Sequence, residues 1–282
     1  MSPPAPPALT LGERGRLGLR LGVAVVLLAV FLAAFLLVRG VERLLEALLL
    51  RPVGGMAGRV VQGWAATALP VLGLAYVRHG APMRGRGAFV ANHSSWSDIV
   101  ALQRAAAPFL VSKAEVRDWP GIGLIGRAIG TMFVDRRPAA AKRQEAELLA
   151  RLGRGDRMAM FPEGTSTAGG RVLPFKSSLF GVFFAPALGG AVEVQPVTIR
   201  YHPREGLAAD FYAWWGEMDF VPHLVEVLAR STGGRVELTF HAPLSVAHVE
   251  GRKALAAAAE QAVRAAFIDP ETAARGDDAS RG

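Results

Sequence analysis

The segment Asn92-His93-Ser94-Ser95-Trp96-Ser97-Asp98 holds residue types that move protons, a histidine and an aspartate with four residues between them. An imidazole near neutrality takes a proton, and a carboxylate on its other nitrogen fixes the tautomer and stabilises the cation. In one continuous helix the two side chains would point about 140° apart, at 3.6 residues per turn. They meet only if His93 lies in a loop and Asp98 in the first turn of the helix that follows. Ser94, Ser95 and Ser97 supply N-caps for such a break. The same letters also read as an acidic capping box, in which Asp98 serves the helix and His93 is an ordinary loop residue. Spacing alone leaves catalysis and capping open.

Three further blocks end in polar or glycine-rich turns: Gly130-Thr131-Met132-Phe133-Val134-Asp135-Arg136, Phe161-Pro162-Glu163-Gly164-Thr165 and Val194-Gln195-Pro196-Val197-Thr198-Ile199. Two other patterns are decoys. GIGLIG at 121–126 follows Arg117-Asp118-Trp119-Pro120 rather than a strand, so it does not open a dinucleotide-binding βαβ unit. GTSTAG at 164–169 has Ala168 where a nucleophile elbow needs its second glycine, which argues against Ser166 as a hydrolase nucleophile.

Short apolar runs at 88–92, 108–112, 131–135, 157–161, 192–199 and 235–244 read as strands. Ser97–Ala107, Ala139–Leu152, Phe220–Arg230 and Arg252–Phe267 read as helices between them. This alternation predicts an α/β domain over 81–268, a mostly parallel central sheet flanked by helices. Ligands collect beyond the carboxyl ends of such strands, where each motif block ends. Ahead of it, Leu21–Val38 runs without a charge and continues into an amphipathic stretch with Val41, Leu44, Leu45, Leu48 and Leu49 on one stripe. It reads as a retained anchor rather than a cleaved signal. Val60–Val77 is a second apolar stretch, with Pro70 placed to kink a helix. Residues 21–80 are thus expected to be N-terminal membrane-associated helices, as spans or as a monotopic hairpin. Residues 1–20 and 269–282 are expected to be disordered.

Among the 282 residues, 32 Lys+Arg stand against 24 Asp+Glu, a net charge of +8. That favours phosphate-bearing partners or an anionic membrane surface. No nucleic-acid partner is expected, because no zinc-finger, RNP-type motif or long basic block is present. The absence of cysteine excludes disulfides, thiolate metal sites and a cysteine nucleophile. A mean hydropathy of +0.28 points to a membrane.

In their order and spacing the four blocks resemble the motifs of the glycerolipid acyltransferases, the family of bacterial 1-acyl-sn-glycerol-3-phosphate acyltransferase. The resemblance implies that His93 is the base that deprotonates an acceptor hydroxyl and that Asp98 orients it. It implies acceptor binding by Arg136, Glu163, Gly164, Thr165 and Lys176, and an acyl-donor or acyl-chain side lined by Pro196 and Val197. No metal or cofactor is expected; acyl-CoA or acyl-carrier protein is the donor substrate and a membrane lysolipid the acceptor. The expected location is the bacterial inner membrane, with the catalytic domain on the cytoplasmic side.

One departure stands out. Many family members continue EGT with Arg-Ser, whereas this chain has Ser166-Thr167. A hydroxyl cannot replace the bidentate phosphate contact of an arginine, and Arg171 or Lys176 is the candidate replacement. The run from Glu163 to Ser177, with Trp214-Trp215-Gly216-Glu217-Met218 and Pro222-His223, is similar to a bacterial branch that includes lyso-ornithine-lipid acyltransferases. Trp214 and Trp215 themselves read as core or interface aromatics. His79, His202, His223, His241 and His248 lack ligand spacing and are assigned no role. The first expectation is acylation of 1-acyl-sn-glycerol-3-phosphate to phosphatidic acid, because the GTMFVDR block is intact. The alternative is acylation of lyso-ornithine lipid or another lysolipid. A non-catalytic membrane-binding module and an acyl hydrolase are readings of a different class.

Overall fold

The run Gly87–Ala91 carries no polar side chain and forms β2, in which all five residues are buried. A strand apolar on both faces needs a helical layer on each side, which is the physics of a buried parallel sheet. The computed structural model describes residues 8–50, 53, 55–119, 122–135 and 137–267. Among them, eight strands form one sheet in the order β1-β7-β6-β2-β5-β3-β4, with β8 pairing β6. The strands are β1 Leu74–His79, β2, β3 Phe109–Lys113, β4 Met132–Val134, β5 Arg157–Met160, β6 Glu193–His202, β7 Gly234–Phe240 and β8 Leu244–Ser245. β6, β2, β5, β3 and β4 run parallel, β7 and β8 pair antiparallel to β6, and β1 is parallel to β7.

The helices are α1 Leu11–Leu49, α2 Met56–Val71, α3 Ser97–Ala106, α4 Ile122–Ala128, α5 Pro138–Gly153, α6 Phe220–Arg230 and α7 Arg252–Phe267. One side of the sheet is closed by α2, α3 and α6 over Phe89, Leu102, Ile199 and Leu228. The other is closed by α7 and the 3-10 turn Ser177–Phe184, over Val90, Met158, Phe183 and Leu255. Phe89 and Val90 face opposite cores because strand side chains alternate.

Three expectations about the first 80 residues are corrected. Residues 11–20 are helical, because Thr10 and Glu13 form a reciprocal capping box: Thr10 N–H donates to Glu13 Oε2 at 2.7 Å and Glu13 N–H to Thr10 Oγ1 at 3.3 Å. Residues 1–7 and 268–282 lie outside the described residues. The stretch Val60–Val77 is not one membrane element. Pro70 lies in the last turn of α2, and Gly73, at φ +73°, reverses the chain where a Cβ would meet Ser231 O at 2.4 Å. The chain then enters β1, so the α/β sheet begins at Leu74 rather than after residue 80. A continuous apolar letter run hid the change of period.

The α1–α2 hairpin is fastened to the domain along its length. Glu42, with none of its surface exposed, accepts the free N–H groups of Met56 and Ala57 at 2.8 and 3.0 Å and so caps α2 from a neighbouring helix. Phe31 and Phe35, each 5% exposed, pack with Val61 and against Ile125 and Ile129 beside α4. Burial of this kind contributes about 1.5–3 kcal/mol per side chain. Further toward the N-terminus, Arg16 donates to Ala229 O at 2.7 Å, and Arg20 to Leu228 O at 3.1 Å and Ser231 O at 2.6 Å. These arginines satisfy the last carbonyls of α6, where positive charge is favoured.

Candidate active site

Strand β2 ends at Ala91, and the loop Asn92–Trp96 lies between it and α3. Asn92 extends the pairing by one residue through its side chain: Nδ2 donates to Ile199 O and Ile199 N–H donates to Oδ1, both at 2.8 Å. His93 follows with its backbone fully committed. Its N–H donates to Glu163 Oε1 at 2.8 Å, and its carbonyl accepts the Thr167 N–H at 2.9 Å. The next carbonyl, of Ser94, accepts the Trp214 N–H at 2.7 Å. Two loops thus clamp two residues, and the His93 ring stacks on Phe161 with centroids 4.1 Å apart and planes at 16°.

Asp98 stands in the first turn of α3 and is wholly buried. Its Oδ2 lies 2.8 Å from His93 Nδ1 and also accepts the N–H groups of Ser94 and Ser95 at 2.9 and 3.0 Å. Its Oδ1 accepts the Tyr201 hydroxyl at 2.8 Å. The oxygen that caps the loop is therefore the same one that faces the His93 ring, so capping and orientation of His93 are geometrically compatible. A carboxylate can only accept, so the Nδ1 facing it carries the proton and Nε2 keeps its lone pair. The His93 side chain is 18% exposed.

The remaining sequence candidates fall into two groups. Gly164, Thr165 and Lys176 come together in the loop beyond β5. Gly164 sits at φ +73°, a conformation that glycine adopts without strain, and the end of the Lys176 side chain lies over it. Thr165 and Lys176 are exposed at the rim. Glu163 belongs elsewhere. It is 2% exposed and both its oxygens accept backbone donors, Oε1 from His93 and Oε2 from Leu173 at 3.0 Å. Burial pushes its carboxyl above the ordinary range, against the opposing pull of the Leu173 and His93 N–H groups. Its place in the structure is that of a buried strut beneath the His93 loop.

Pro196 and Val197, which the resemblance set on the acyl-donor or acyl-chain side, are both buried within β6, paired with Val90 and Ala91 of β2. Proline is tolerated in this central strand because its missing N–H falls between the part of β6 paired with β8, which ends at Val194, and the part paired with β7, which begins at Val197. Gln195 fills that gap, accepting from Met83 N–H at 2.7 Å and donating to His241 O at 2.7 Å. Arg136 lies outside the described residues. Its neighbour Asp135 is paired with Arg137, whose guanidinium holds the Asp135 carboxyl below its ordinary range.

Residues 71–200 match the acyltransferase family. A lyso-ornithine lipid O-acyltransferase of Rhodobacter capsulatus is 43% identical over 270 residues, covering 93% of this chain and 93% of that one. The chain belongs to the glycerolipid acyltransferase family. A second acyltransferase, the 1-acyl-sn-glycerol-3-phosphate acyltransferase of Neisseria gonorrhoeae, is 30% identical over 197 residues, 67% of this chain and 72% of its own. The crystal structure of PlsC, the 1-acyl-sn-glycerophosphate acyltransferase of Thermotoga maritima, has the same fold, with a TM-score of 0.55 at 21% identity over 85% of this chain and 94% of that one.

Several residues around this acyltransferase site were not singled out by sequence: Asn92, Phe161, Thr167, the backbone of Trp214, and Tyr201. Phe161 and Thr167 were inside a quoted motif or beside one, so position was a signal for them. Tyr201 gave none. His223 also has a defined place, accepting the Trp96 indole N–H on Nδ1 at 2.9 Å, with burial holding its imidazole below the ordinary value.

Proposed function

We propose that this enzyme transfers a fatty acyl group from a thioester donor, acyl-CoA or acyl-carrier protein, to the free hydroxyl of lyso-ornithine lipid. His93 Nε2 takes the hydroxyl proton as the oxygen attacks the thioester carbonyl. Asp98 stabilises the imidazolium, the C–S bond breaks, and the imidazolium returns the proton to the leaving thiolate. A thioester is already activated, so neither a metal nor a covalent enzyme intermediate is required.

The observation that carries the choice of acceptor is the loop after Gly164. Where a phosphate-binding arginine would stand there is Ser166, and the following Thr167 is directed at the His93 carbonyl through its N–H at 2.9 Å and its hydroxyl at 3.3 Å. Neither offers a bidentate cation to a phosphate. The Rhodobacter relative, matched over 93% of both chains, carries the lyso-ornithine name, which supports the same choice over 1-acyl-sn-glycerol-3-phosphate. Turnover of the two acceptors by purified protein tests it. The wild type should favour lyso-ornithine lipid at least tenfold in kcat/KM, and Ser166→Arg should shift the ratio toward lysophosphatidic acid by about ten- to a hundredfold, the size of a charge-assisted contact. A wild type that favours lysophosphatidic acid would restore the phosphate reading. Acyl release without any acceptor would make the protein a hydrolase.

The hairpin supports seating in one leaflet rather than a crossing. Helix α1 has 39 residues, roughly 58 Å at ~1.5 Å per residue against a hydrocarbon core of ~30 Å. Only 11% of its most apolar window is buried. Yet its N-terminal turns are tied to α6 and its middle to α2 and the α4 region. The exposed stripe of Leu19, Val23, Val26, Val30 and Leu37 is left for lipid. The chain has no cysteine, so single cysteines placed at Leu9 and Leu50 can be labelled in sealed vesicles. Both should react from the face that carries the catalytic domain, and reaction from opposite faces would establish a span.

A further inference from the structure

We propose that Tyr201 is a positioning residue for the acyl transfer, its hydroxyl holding the outer oxygen of Asp98 so that the inner oxygen stays aimed at His93. The inference rests on the His93–Asp98 reading above and adds a third member, supplied by the last turn of a different strand. Tyr201 lies near the carboxyl end of β6, 103 residues from Asp98 in sequence, and its hydroxyl lies 2.8 Å from Asp98 Oδ1.

The four groups around the carboxylate are unequally placed. Oδ2 takes three donors, from His93, Ser94 and Ser95, whereas Oδ1 takes the Tyr201 phenol. Asp98 is entirely buried, so no solvent replaces a lost donor. The phenol is in turn oriented. Ser97 Oγ lies 2.8 Å from the phenol oxygen and 2.9 Å from Ser95 Oγ, and Ser95 and Ser97 are both buried. The carboxylate can only accept, which makes Tyr201 the donor to Asp98 and sets Ser97 as the donor to Tyr201. The ring is held from behind by Tyr212, stacked at 5.5 Å and 30°. Burial also drives the phenol far above its ordinary titration range, which keeps it a donor throughout the pH range of the reaction. Orientation of a catalytic carboxylate by such an outer donor is the logic by which outer groups tune metal-bound histidines.

The consequence has a sign. Without the phenol, Oδ1 is a bare carboxylate oxygen in a closed core, and the Asp98–His93 pair attracts a proton more strongly. The base is then occupied at higher pH. Tyr201→Phe keeps the ring and its stacking, so the fold is retained. It should lower kcat about tenfold with acceptor KM within twofold, and raise the acid limb of the kcat/KM profile by about half a unit to one unit. Ser97→Ala, which removes only the support of the phenol, should move the limb the same way by less.

Both variants are assayed beside wild type and His93→Ala, with the acceptor that the wild type uses. A drop in thermal stability with an unchanged pH profile and unchanged kcat in Tyr201→Phe would overturn the proposal and leave Tyr201 a packing residue. Activity retained in His93→Ala would instead overturn the dyad itself, an outcome separable from the first. If Tyr201→Phe does not fold, the limb shift in Ser97→Ala decides the matter.

Discussion

Replacing His93 by alanine should lower acyl transfer by about 10²–10⁴-fold while the protein remains folded and membrane-bound. The magnitude is that of a general base removed from a positioned site. Retention of the fold follows from where the binding energy of this residue lies. The contacts that fix the loop, Glu163 to the His93 N–H and the Thr167 N–H to the His93 carbonyl, belong to the backbone and survive the substitution. What is lost is the stack on Phe161 and one bond to Asp98. The measurement is single-turnover transfer by purified variant together with its melting temperature. A variant that keeps more than about a tenth of wild-type turnover would remove His93 from the role of base.

Asp98→Asn should lose about two to three orders of magnitude in kcat, and should melt lower as well. Three donors converge on Oδ2, so an asparagine must turn its carbonyl toward His93, Ser94 and Ser95 and its amino group toward Tyr201. The tautomer of His93 then survives, but the negative charge that stabilises the imidazolium does not. Each of the bonds to the side chain also loses its charge-assisted character, which makes a destabilisation of about 1–3 kcal/mol the expected scale. Activity is therefore compared well below the variant's melting temperature. Wild-type kcat in a variant that is merely less stable would reduce Asp98 to a cap of the loop.

The elements themselves were legible in the letters. The predicted helices at Phe220–Arg230 and Arg252–Phe267 are α6 and α7, the runs at 88–92 and 157–161 are β2 and β5 to within one residue, and the run at 235–244 covers β7, which ends at Phe240, and the first residue of β8. The His93 loop and the Asp98 first turn followed from a helical-wheel angle that admits no other meeting of the two. These are local matters, because periodicity, caps and breakers act over a few residues. Gly73 was the exception: its breaker signal was present but buried in an unbroken apolar run, so β1 was read as membrane helix.

What the tertiary structure decided is which atoms each polar group meets. Glu163 carries the same motif letter whether it binds an acceptor or supports a loop. Only the closure of β5 onto β2 places it under the N–H of His93, 70 residues away in sequence. Pro196 and Val197 were placed on the acyl-donor or acyl-chain side by resemblance, and they are buried in the sheet because β6 is flanked by β2 and β7. Helix α1 had the composition of an independent anchor, yet Arg16 and Arg20 find the carbonyl end of α6 more than 200 residues away, at separations of 213 and 211. By itself the sequence determined that an α/β acyltransferase fold was present and that His93 and Asp98 could meet at the end of one of its strands. The sheet order decided which donors Asp98 and Glu163 each receive, because a buried oxygen must take whatever donors the folded chain brings within 3 Å.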